Sequence, residues 1–312
     1  MTLRLVVALL VLLLSGAALA RDEAPLKSGA HDVVINGVRL WYRVAGEEAG
    51  APAVFLHGGP GQGSQTFARF AGPELERSQR MIYLDQRGSG RSEKHWKKEY
   101  SIALLVDDLE QLRQLWGVEQ MALIGHSFGT VLALEYAARY PQHVSKLVLS
   151  ATVADLPAAF DLQCARLERE DPETYARAVA ALPEGSPRKC DVFAAPRSFF
   201  DSNMYPNPGT MKLVDETDAS DGMYNDGEAS KALFAQGLLA YRFDQAARLT
   251  MPVLVIAGQA DYQTPVAPVK PLVSALPNGR LLEYEGRGHF MFVEDPKRFA
   301  ADVSNFLADR SH

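Results

Sequence analysis

Short, nearly uniform apolar runs recur along the chain, and between several of them the apolar residues follow a helical period instead. A run that is apolar at every position is typical of a strand covered on both faces of a parallel sheet, whereas a period near 3.6 predicts a helix with one buried stripe. The pattern therefore predicts an α/β fold with a mostly parallel central sheet flanked by helices. The predicted strands of this sheet are 53–56, 81–84, 121–124, 144–149, 253–258 and 281–284, and the first three are expected to be buried.

The chain before these strands follows a different pattern. Residues 31–35 and 38–45 alternate between apolar and polar side chains around Asn36-Gly37, which is the strongest short signal for a β-hairpin. We therefore expect an antiparallel pair at one edge of the sheet. Counted with this hairpin, the strand at 144–149 is the sixth of eight.

A helix with one buried face is predicted between the strands at 81–84 and 121–124. Its apolar side chains recur three and four residues apart, as side chains on one face of a helix do. The expected apolar stripe is Leu105, Leu109, Leu112 and Trp116, and the charged residues expected to face water are Asp107, Asp108, Glu110 and Arg113.

The alternation of strand and helix stops between residues 153 and 247, directly after the sixth strand. A stretch this long without sheet strands, set between two of them, indicates a mainly helical cap or lid over a binding site. We therefore expect a core built from residues 21–152 and 248–312, with the lid 153–247 inserted into it.

A serine lies between the apolar strand at 121–124 and a segment of helical period at 128–140. Only a tight turn fits there, and its flanks must be small because strand and helix nearly touch. Gly125 and Gly129 meet that need, two residues either side of Ser127. A G-x-S-x-G pattern alone also occurs by chance in loops, but the strand before it and the helix after it are the context that a nucleophile elbow requires.

A glycine-rich loop, H-G-G-P-G at 57–61, follows the strand at 53–56 directly. Such a loop lets the backbone approach a ligand and point N–H groups at it. We expect it to form half of an oxyanion hole through the N–H of Gly59, since Pro60 has none, with the N–H of Phe128 as the other half. The alternative is an ordinary tight turn, but three glycines around a proline are more than a turn needs.

An acid and a histidine each lie just past a predicted parallel strand, on the same edge as the serine. Because the carboxyl ends of parallel strands meet in one crevice, we expect Ser127, Asp261 and His289 to come together there. The predicted roles are nucleophile for Ser127, general base and then acid for His289, and orienting carboxylate for Asp261.

Three other residues compete for these roles. Glu285 is a rival acid, although it lies too close to His289 in the chain for an easy approach. His57 and His126 adjoin the serine and the glycine-rich loop at positions where the backbone does the chemistry. We expect both histidines to pack against the site without acting as its base.

Composition narrows the classes of partner. The formal net charge is −6 and no basic cluster is present, which argues against nucleic acid or anionic lipid. Cys164 and Cys190 are the two cysteines, and we expect them to form a disulfide, with two free buried thiols as the alternative. No histidine near them has the spacing of a metal ligand.

The first twenty residues have the pattern of a secretory signal peptide. Arg4 gives a short positive region, residues 5–14 are apolar throughout, and Ala18-Leu19-Ala20 is an A-x-A cleavage site. We therefore expect cleavage after Ala20 and a mature protein in the periplasm or outside the cell, without stable membrane insertion. The alternative is an uncleaved anchor, for which the apolar run is short.

Two loop motifs carry a resemblance to a known family. The H-G-G-P-G loop at 57–61 together with D-Q-R-G-S-G-R-S at 85–92 resembles the proline iminopeptidase (prolyl aminopeptidase) branch of the α/β-hydrolases, over residues 33–307. The resemblance implies an α/β-hydrolase fold and a serine exopeptidase that removes an N-terminal residue from a peptide without metal or cofactor. In the second motif we expect Asp85 and Arg87 to pair with each other or with neighbouring backbone and so hold the loop, with substrate contact as the alternative.

The resemblance also implies that acids of the lid hold the amino terminus of the substrate, and the candidates here are Glu216, Asp221, Asp226 and Glu228. The alternative is that these acids simply face water. The turn around Ser127 differs from the G-G-S-W-G usual in that family, because it reads G-H-S-F-G at 125–129, a form also found in esterases, lactonases and acyltransferases. We therefore keep a carboxylesterase or lactonase, an acyltransferase and a binding protein without turnover as alternatives.

Overall fold

The computed structural model describes residues 26–47, 50–94, 99–220 and 227–309. The predicted signal peptide and two of the lid candidates, Asp221 and Asp226, lie outside these ranges. Within them, no helix combines the length and the apolar content that a membrane crossing requires.

An eight-stranded sheet runs through the molecule in the order β1-β2-β4-β3-β5-β6-β7-β8. The first two strands are antiparallel to their neighbours and all later pairs are parallel. The mostly parallel sheet and its antiparallel edge are therefore as predicted. The strands are β1 Gly29–Ile35, β2 Val38–Gly46, β3 Ala53–Leu56, β4 Arg80–Asp85, β5 Met121–His126, β6 Val144–Ser150, β7 Val253–Gly258 and β8 Gly279–Tyr284.

Helices cover both faces of this sheet. On one face α3 and α4 pack against β-strand residues such as Leu123 and Leu147. On the other face Phe67 of α1 stacks on Phe55 of β3, and α11 and α12 complete that layer. The helices outside the segment between β6 and β7 are α1 Gln65–Phe70, α2 Gly72–Leu75, α3 Ile102–Trp116, α4 Phe128–Arg139, α10 Lys270–Ala275, α11 Met291–Glu294 and α12 Pro296–Ala308.

The described part of the segment between β6 and β7 is helical, and its one β contact is an isolated bridge between Asp155 and Arg242. Cys164 and Cys190 form a disulfide within it, with an S–S distance of 2.04 Å, as the sequence predicted. Its action as a lid stays a prediction. Its helices are α5 Leu156–Glu170, α6 Pro172–Ala180, α7 Arg197–Met204, α8 Pro208–Ser220 and α9 Glu228–Ala235.

The prediction for the outer face of α3 was wrong at three positions. Asp108, Glu110 and Arg113 are buried, with 3%, 8% and 9% of their surfaces exposed. They are buried because each has a charged partner: Arg87 pairs with Asp108, and Arg113 pairs with Glu110 at 2.7 Å. The apolar stripe of this helix is buried as predicted.

Candidate active site

Ser127 occupies the turn between β5 and α4. Its backbone is strained, with φ 53° and ψ −123°, in a region that residues with a side chain seldom enter. The flanking glycines leave no room for a side chain, because a Cβ on Gly129 would lie 2.0 Å from the carbonyl oxygen of Leu56 and one on Gly125 would lie 2.7 Å from the carbonyl oxygen of Gly129. The strand, the tight turn and the helix predicted around this serine are all present.

Backbone contacts hold this turn against the neighbouring strand. The N–H of Ser127 donates to the carbonyl of Ser150, at the end of β6, over 3.0 Å. The hydroxyl of Thr130 donates to the carbonyl of Ser127 over 2.6 Å and accepts from the N–H of Val153 over 2.9 Å. The sequence does not indicate this positioning contact of Thr130, since nothing in the motif marks that hydroxyl.

Asp261 and His289 meet behind the serine turn. The first lies just past β7 and the second just past β8, and Asp261 Oδ2 is 2.8 Å from His289 Nδ1. Both side chains are buried. Because an ionised carboxylate only accepts hydrogen bonds, Nδ1 carries the proton and Nε2 of His289 is left as a base.

Several hydrogen bonds keep the Asp261 carboxylate ionised. Its Oδ1 accepts from the N–H groups of Gln263 and Thr264, each over 2.9 Å, and its Oδ2 accepts from the Thr264 hydroxyl over 2.6 Å. Burial raises the pKa of this carboxyl, but the attraction of His289 and these hydrogen bonds outweigh it and hold the pKa below its usual range. Thr264 was not predicted from the sequence.

The two histidines beside the site contact backbone, in line with the expected packing role. His126 Nε2 donates to the carbonyl of His289 over 3.0 Å, and burial lowers the pKa of His126 to about 3. His57 Nδ1 donates to the carbonyl of Gly58, while its Nε2 accepts from the N–H of Gln86 over 3.0 Å. Burial lowers the pKa of His57 as well. Both rings are therefore uncharged near neutral pH, and their hydrogen bonds support the backbone around the site.

The glycine-rich loop approaches the serine closely. A Cβ on Gly58 would lie 2.9 Å from the Cβ of Ser127. Gly59 has φ 111°, a conformation that favours glycine, and it is joined to Pro60 by a cis peptide bond. Gly59 and Phe128 both line the cavity at Ser127, and their role as oxyanion donors stays a prediction.

Asp85 and Arg87 hold the second loop motif but do not pair with each other. Asp85 accepts from the backbone and hydroxyl of Ser64, over 2.7 and 2.6 Å, and from the backbone of Arg91 over 2.9 Å. Arg87 instead forms a bidentate salt bridge with Asp108 of α3, in which its Nε and Nη2 donate to Oδ2 and Oδ1, each over 2.8 Å. The predicted structural role fits these contacts, whereas the partner of Arg87 is one that the sequence does not indicate.

A cavity of about 80 Å³ opens at Ser127 between the glycine-rich loop and the helical insertion. Phe160, Phe193 and Phe234 form its aromatic wall. The ring centroid of Phe193 is 5.7 Å from that of Phe160 and 5.7 Å from that of Phe234. Among the described residues, none of those lining it carries a charge. The full lining is Gly59, Pro60, Ser127, Phe128, Val131, Val153, Leu156, Phe160, Phe193, Phe234, Leu238, Gln263 and Thr264.

The described lid candidates do not line this cavity. The side chain of Glu216 is 60% exposed and pairs with Lys212, and Glu228 pairs with Lys231. Asp218 of α8, which is not among the acids predicted from the sequence, is more buried. It accepts from the hydroxyl of Thr66 over 2.6 Å. Burial is the main cause that raises the pKa of Asp218, and the nearby carboxylates of Asp215 and Asp85 raise it further.

Residues 52–296 match the model of the family described as alpha/beta hydrolase fold. The chain belongs to this family. The fold class expected from the sequence is thereby confirmed. Within the described residues of this α/β hydrolase, no three His, Cys, Asp or Glu side chains are grouped so as to hold a metal ion.

Individual known proteins are similar to this α/β hydrolase over most of its length. A proline iminopeptidase of Lactobacillus delbrueckii subsp. bulgaricus is 28% identical over 86% of this chain and 94% of its own. The crystal structure of a proline iminopeptidase-related protein of Thermus thermophilus has a TM-score of 0.74 at 26% identity, over 90% of this chain and 98% of its own. The resemblance to proline iminopeptidases is therefore confirmed.

An esterase of Rhodococcus sp. ECU1013 shares the same fold. Its crystal structure matches with a TM-score of 0.67 at 23% identity, over 90% of this chain and 99% of its own. Both classes of hydrolase considered from the sequence are thus built on this architecture.

Proposed function

We propose that this α/β hydrolase is a serine hydrolase that works through an acyl-enzyme on Ser127. The contact between Asp261 and His289, 2.8 Å long and buried beside a strained serine turn, carries the proposal. A buried carboxylate–imidazole pair is not required for core packing. An activated serine does require such a pair, because its base must be held in one tautomer.

The reaction follows from these positions. Nε2 of His289 takes the proton of the Ser127 hydroxyl as its oxygen attacks the substrate carbonyl carbon, and the negative oxygen that forms accepts hydrogen bonds from the N–H groups of Gly59 and Phe128. Collapse of this intermediate breaks the bond to the leaving group, which takes the proton from His289. Water then attacks the ester on Ser127 by the same steps, releasing the acid and restoring the serine.

The leading substrate class is a peptide with a free amino terminus, from which one residue is removed. The two loop motifs and the similarity to proteins named proline iminopeptidases support it. The amine would be held by acids of the insertion, as the resemblance implies. No cofactor and no nucleic acid takes part in this scheme.

A carboxylesterase or lactonase is the second candidate, and the lining of the cavity at Ser127 favours it. An aromatic and aliphatic wall without charge among the described residues suits a neutral acyl group, because a buried ammonium without a partner is strongly disfavoured. An acyltransferase, in which an alcohol or amine replaces water, would use the same acyl-enzyme.

A substrate panel separates these candidates. Aminoacyl arylamides, led by the prolyl compound, and short-chain aryl esters are compared at equal concentrations of the mature protein, with Ser127→Ala and His289→Ala as controls. Cleavage of prolyl arylamide supports the leading class, whereas cleavage of esters alone rejects it in favour of the second. Activity that survives in Ser127→Ala would reject the serine mechanism itself. Added alcohols or amines that appear in the product would identify acyl transfer.

We also propose that the protein is exported after cleavage at Ala20. The signal-like first twenty residues and the disulfide, a bond that is rare in reducing compartments, support this. Mass spectrometry of the protein from fractionated cells checks it, and the expected amino-terminal residue is Arg21. A protein that keeps its first twenty residues, or that is recovered from the cytoplasm, would contradict export.

A further inference from the structure

The carboxyl end of α7, in the helical insertion, touches both loops that carry the acid and the base. The carbonyl of Asn203 accepts from the N–H groups of Tyr262 and Gln263, over 2.8 and 3.2 Å, in the loop of Asp261. The carbonyl of Met204 accepts from the N–H of His289 over 2.9 Å. Two successive carbonyls of one helix end therefore fix the positions of two triad members.

The packing at this point allows little adjustment. A Cβ on Gly288 would lie 2.3 Å from Pro206 Cδ and 2.4 Å from the carbonyl oxygen of Met204, so the chain after α7 lies directly on the backbone before His289. Tyr205 stacks on Phe290, with ring centroids 5.2 Å apart and planes inclined by 3°. A shift of this segment would move the base with it.

One arginine of α5 anchors the same helix end. Arg166 donates to the side-chain Oδ1 of Asn203 and, over 3.1 Å, to the hydroxyl of Ser202. Its guanidinium lies over the ring of Tyr262, 4.4 Å from the centroid, and Glu170 holds its Nε at 3.0 Å. Arg166 thus contacts α7 and the loop of Asp261 at once.

We propose that Arg166 and Asn203 are positioning residues that couple the helical insertion to the Asp261–His289 pair. Neither lines the cavity at Ser127. Asn203 contacts the backbone of the Asp261 loop, and Arg166 contacts that loop through the ring of Tyr262 and the side chain of Asn203. This inference rests on the proposed triad, but it holds for a peptide or an ester substrate alike. Rotation or displacement of the insertion would loosen the triad even when the acyl cavity is intact.

The expected defect lies in the chemical step. Asn203→Ala removes the acceptor of Arg166 without changing charge, so the end of α7 is free to shift. Small misplacements of a catalytic group cost on the order of tenfold to a hundredfold in rate. A looser carboxylate also stabilises the charged imidazole less, which moves the acid limb of the rate profile to lower pH. Among the described residues, His126 and Glu294 are further titratable groups close to His289.

The test compares Asn203→Ala, Arg166→Met and the matched control Arg169→Met, which changes an exposed arginine of the same helix that contacts Glu170. Hydrolysis of 4-nitrophenyl butyrate is measured against pH and normalised to the sites that a fluorophosphonate titrates. We expect kcat to fall about tenfold or more in the first two variants with KM within about twofold, and no change in the control. The acid limb should move to lower pH in Asn203→Ala.

Two results would overturn the inference. The first is wild-type kcat per titrated site in Arg166→Met, which decides the matter even if Asn203→Ala fails to fold. The second is a lowered kcat in Asn203→Ala with the acid limb in its wild-type position, since that pattern indicates a general loss of structure. Failure of the proposed function looks different, because wild-type protein and Ser127→Ala would then hydrolyse the ester equally.

Discussion

At the scale of single residues, the candidate site depends on the ionised carboxylate of Asp261 and the ring proton of His289, and neighbouring hydrogen bonds hold both in place. The positions of Ser127, Asp261 and His289 could be predicted, because the sequence places each just past an apolar strand, while their catalytic roles stay a prediction. The hydroxyls of Thr130 and Thr264 could not, since their partners are a backbone carbonyl and a carboxylate that only the folded chain brings to them. Asp261 was favoured over Glu285 from the sequence, and Glu285 is exposed in the structure.

Asp261→Asn tests the predicted role of the carboxylate. An amide can donate to Nδ1 of His289, which puts the ring proton on Nε2 and leaves no base for Ser127. We expect kcat to fall by about 10⁴-fold, as when the acid of such a triad is replaced by its amide. The control is Glu285→Gln, for which we expect wild-type kcat. Equal losses in the two variants, or a loss below about tenfold in Asp261→Asn, would contradict this role.

At the scale of elements, two buried polar contacts join α3 to its neighbours, one to α4 and one to the loop after β4. Glu110 accepts from Arg113 and from the hydroxyl of Tyr136, and Asp108 accepts from Arg87. The periodicity of α3 identified its apolar stripe correctly. It could not identify the buried charges, because helical spacing tells which residues share a face but not which charges find a partner from elsewhere in the chain.

Glu110→Gln tests the contribution of the contact between α3 and α4. Burial raises the pKa of Glu110, but hydrogen bonds from Arg113, Gln114 and Tyr136 outweigh it and bring the pKa to about 2, from 4.5. Because the pKa of Glu110 is lower in the folded than in the unfolded chain, its ionised carboxylate stabilises the fold at pH values above about 4.5. This contribution is lost as the pH falls from about 4.5 toward 2. We expect the variant to lose about 2 kcal/mol at pH 7 in urea unfolding, the contribution of hydrogen bonds to a charged group.

The pH dependence gives this prediction a second readout. Wild-type stability should fall more steeply than that of Glu110→Gln below pH 4.5, so that the difference between them shrinks toward pH 2. The control is Asp107→Asn on the same helix, which breaks an exposed pair with Arg139 and should cost less than about 1 kcal/mol. A difference that is constant with pH would show that the lost stability does not come from the ionised form of Glu110.

At the scale of the whole molecule, the sheet and the insertion differ in how far the sequence determines them. All eight strands lie within two residues of the positions that the apolar runs and the hairpin signal predict. Burial differs with position in the sheet, because β3 is buried throughout whereas Tyr284 is the one buried residue of the edge strand β8. The contacts of α7 with the loops of Asp261 and His289 could not be predicted, since they join backbone atoms and no motif marks them.

Removal of the disulfide tests how the insertion is held together. Cys164 and Cys190 are 26 residues apart, and a cross-link over such a loop contributes about 3 kcal/mol by restricting the unfolded chain. We expect the double variant Cys164→Ala with Cys190→Ala to unfold at lower urea concentration than the wild type. A reductant should lower the wild-type midpoint toward that of the variant and leave the variant unchanged. A wild-type midpoint that does not respond to a reductant able to break the bond would contradict this contribution.

The most direct test of the serine mechanism is covalent labelling of the nucleophile. A fluorophosphonate reacts with a serine only where a base activates it, so we expect one equivalent on the wild type, located by peptide mapping at Ser127. Labelling should vanish in Ser127→Ala and be strongly reduced in His289→Ala. One equivalent retained in Ser127→Ala, or a label found on another residue of the wild type, would contradict the assignment of Ser127 as the nucleophile.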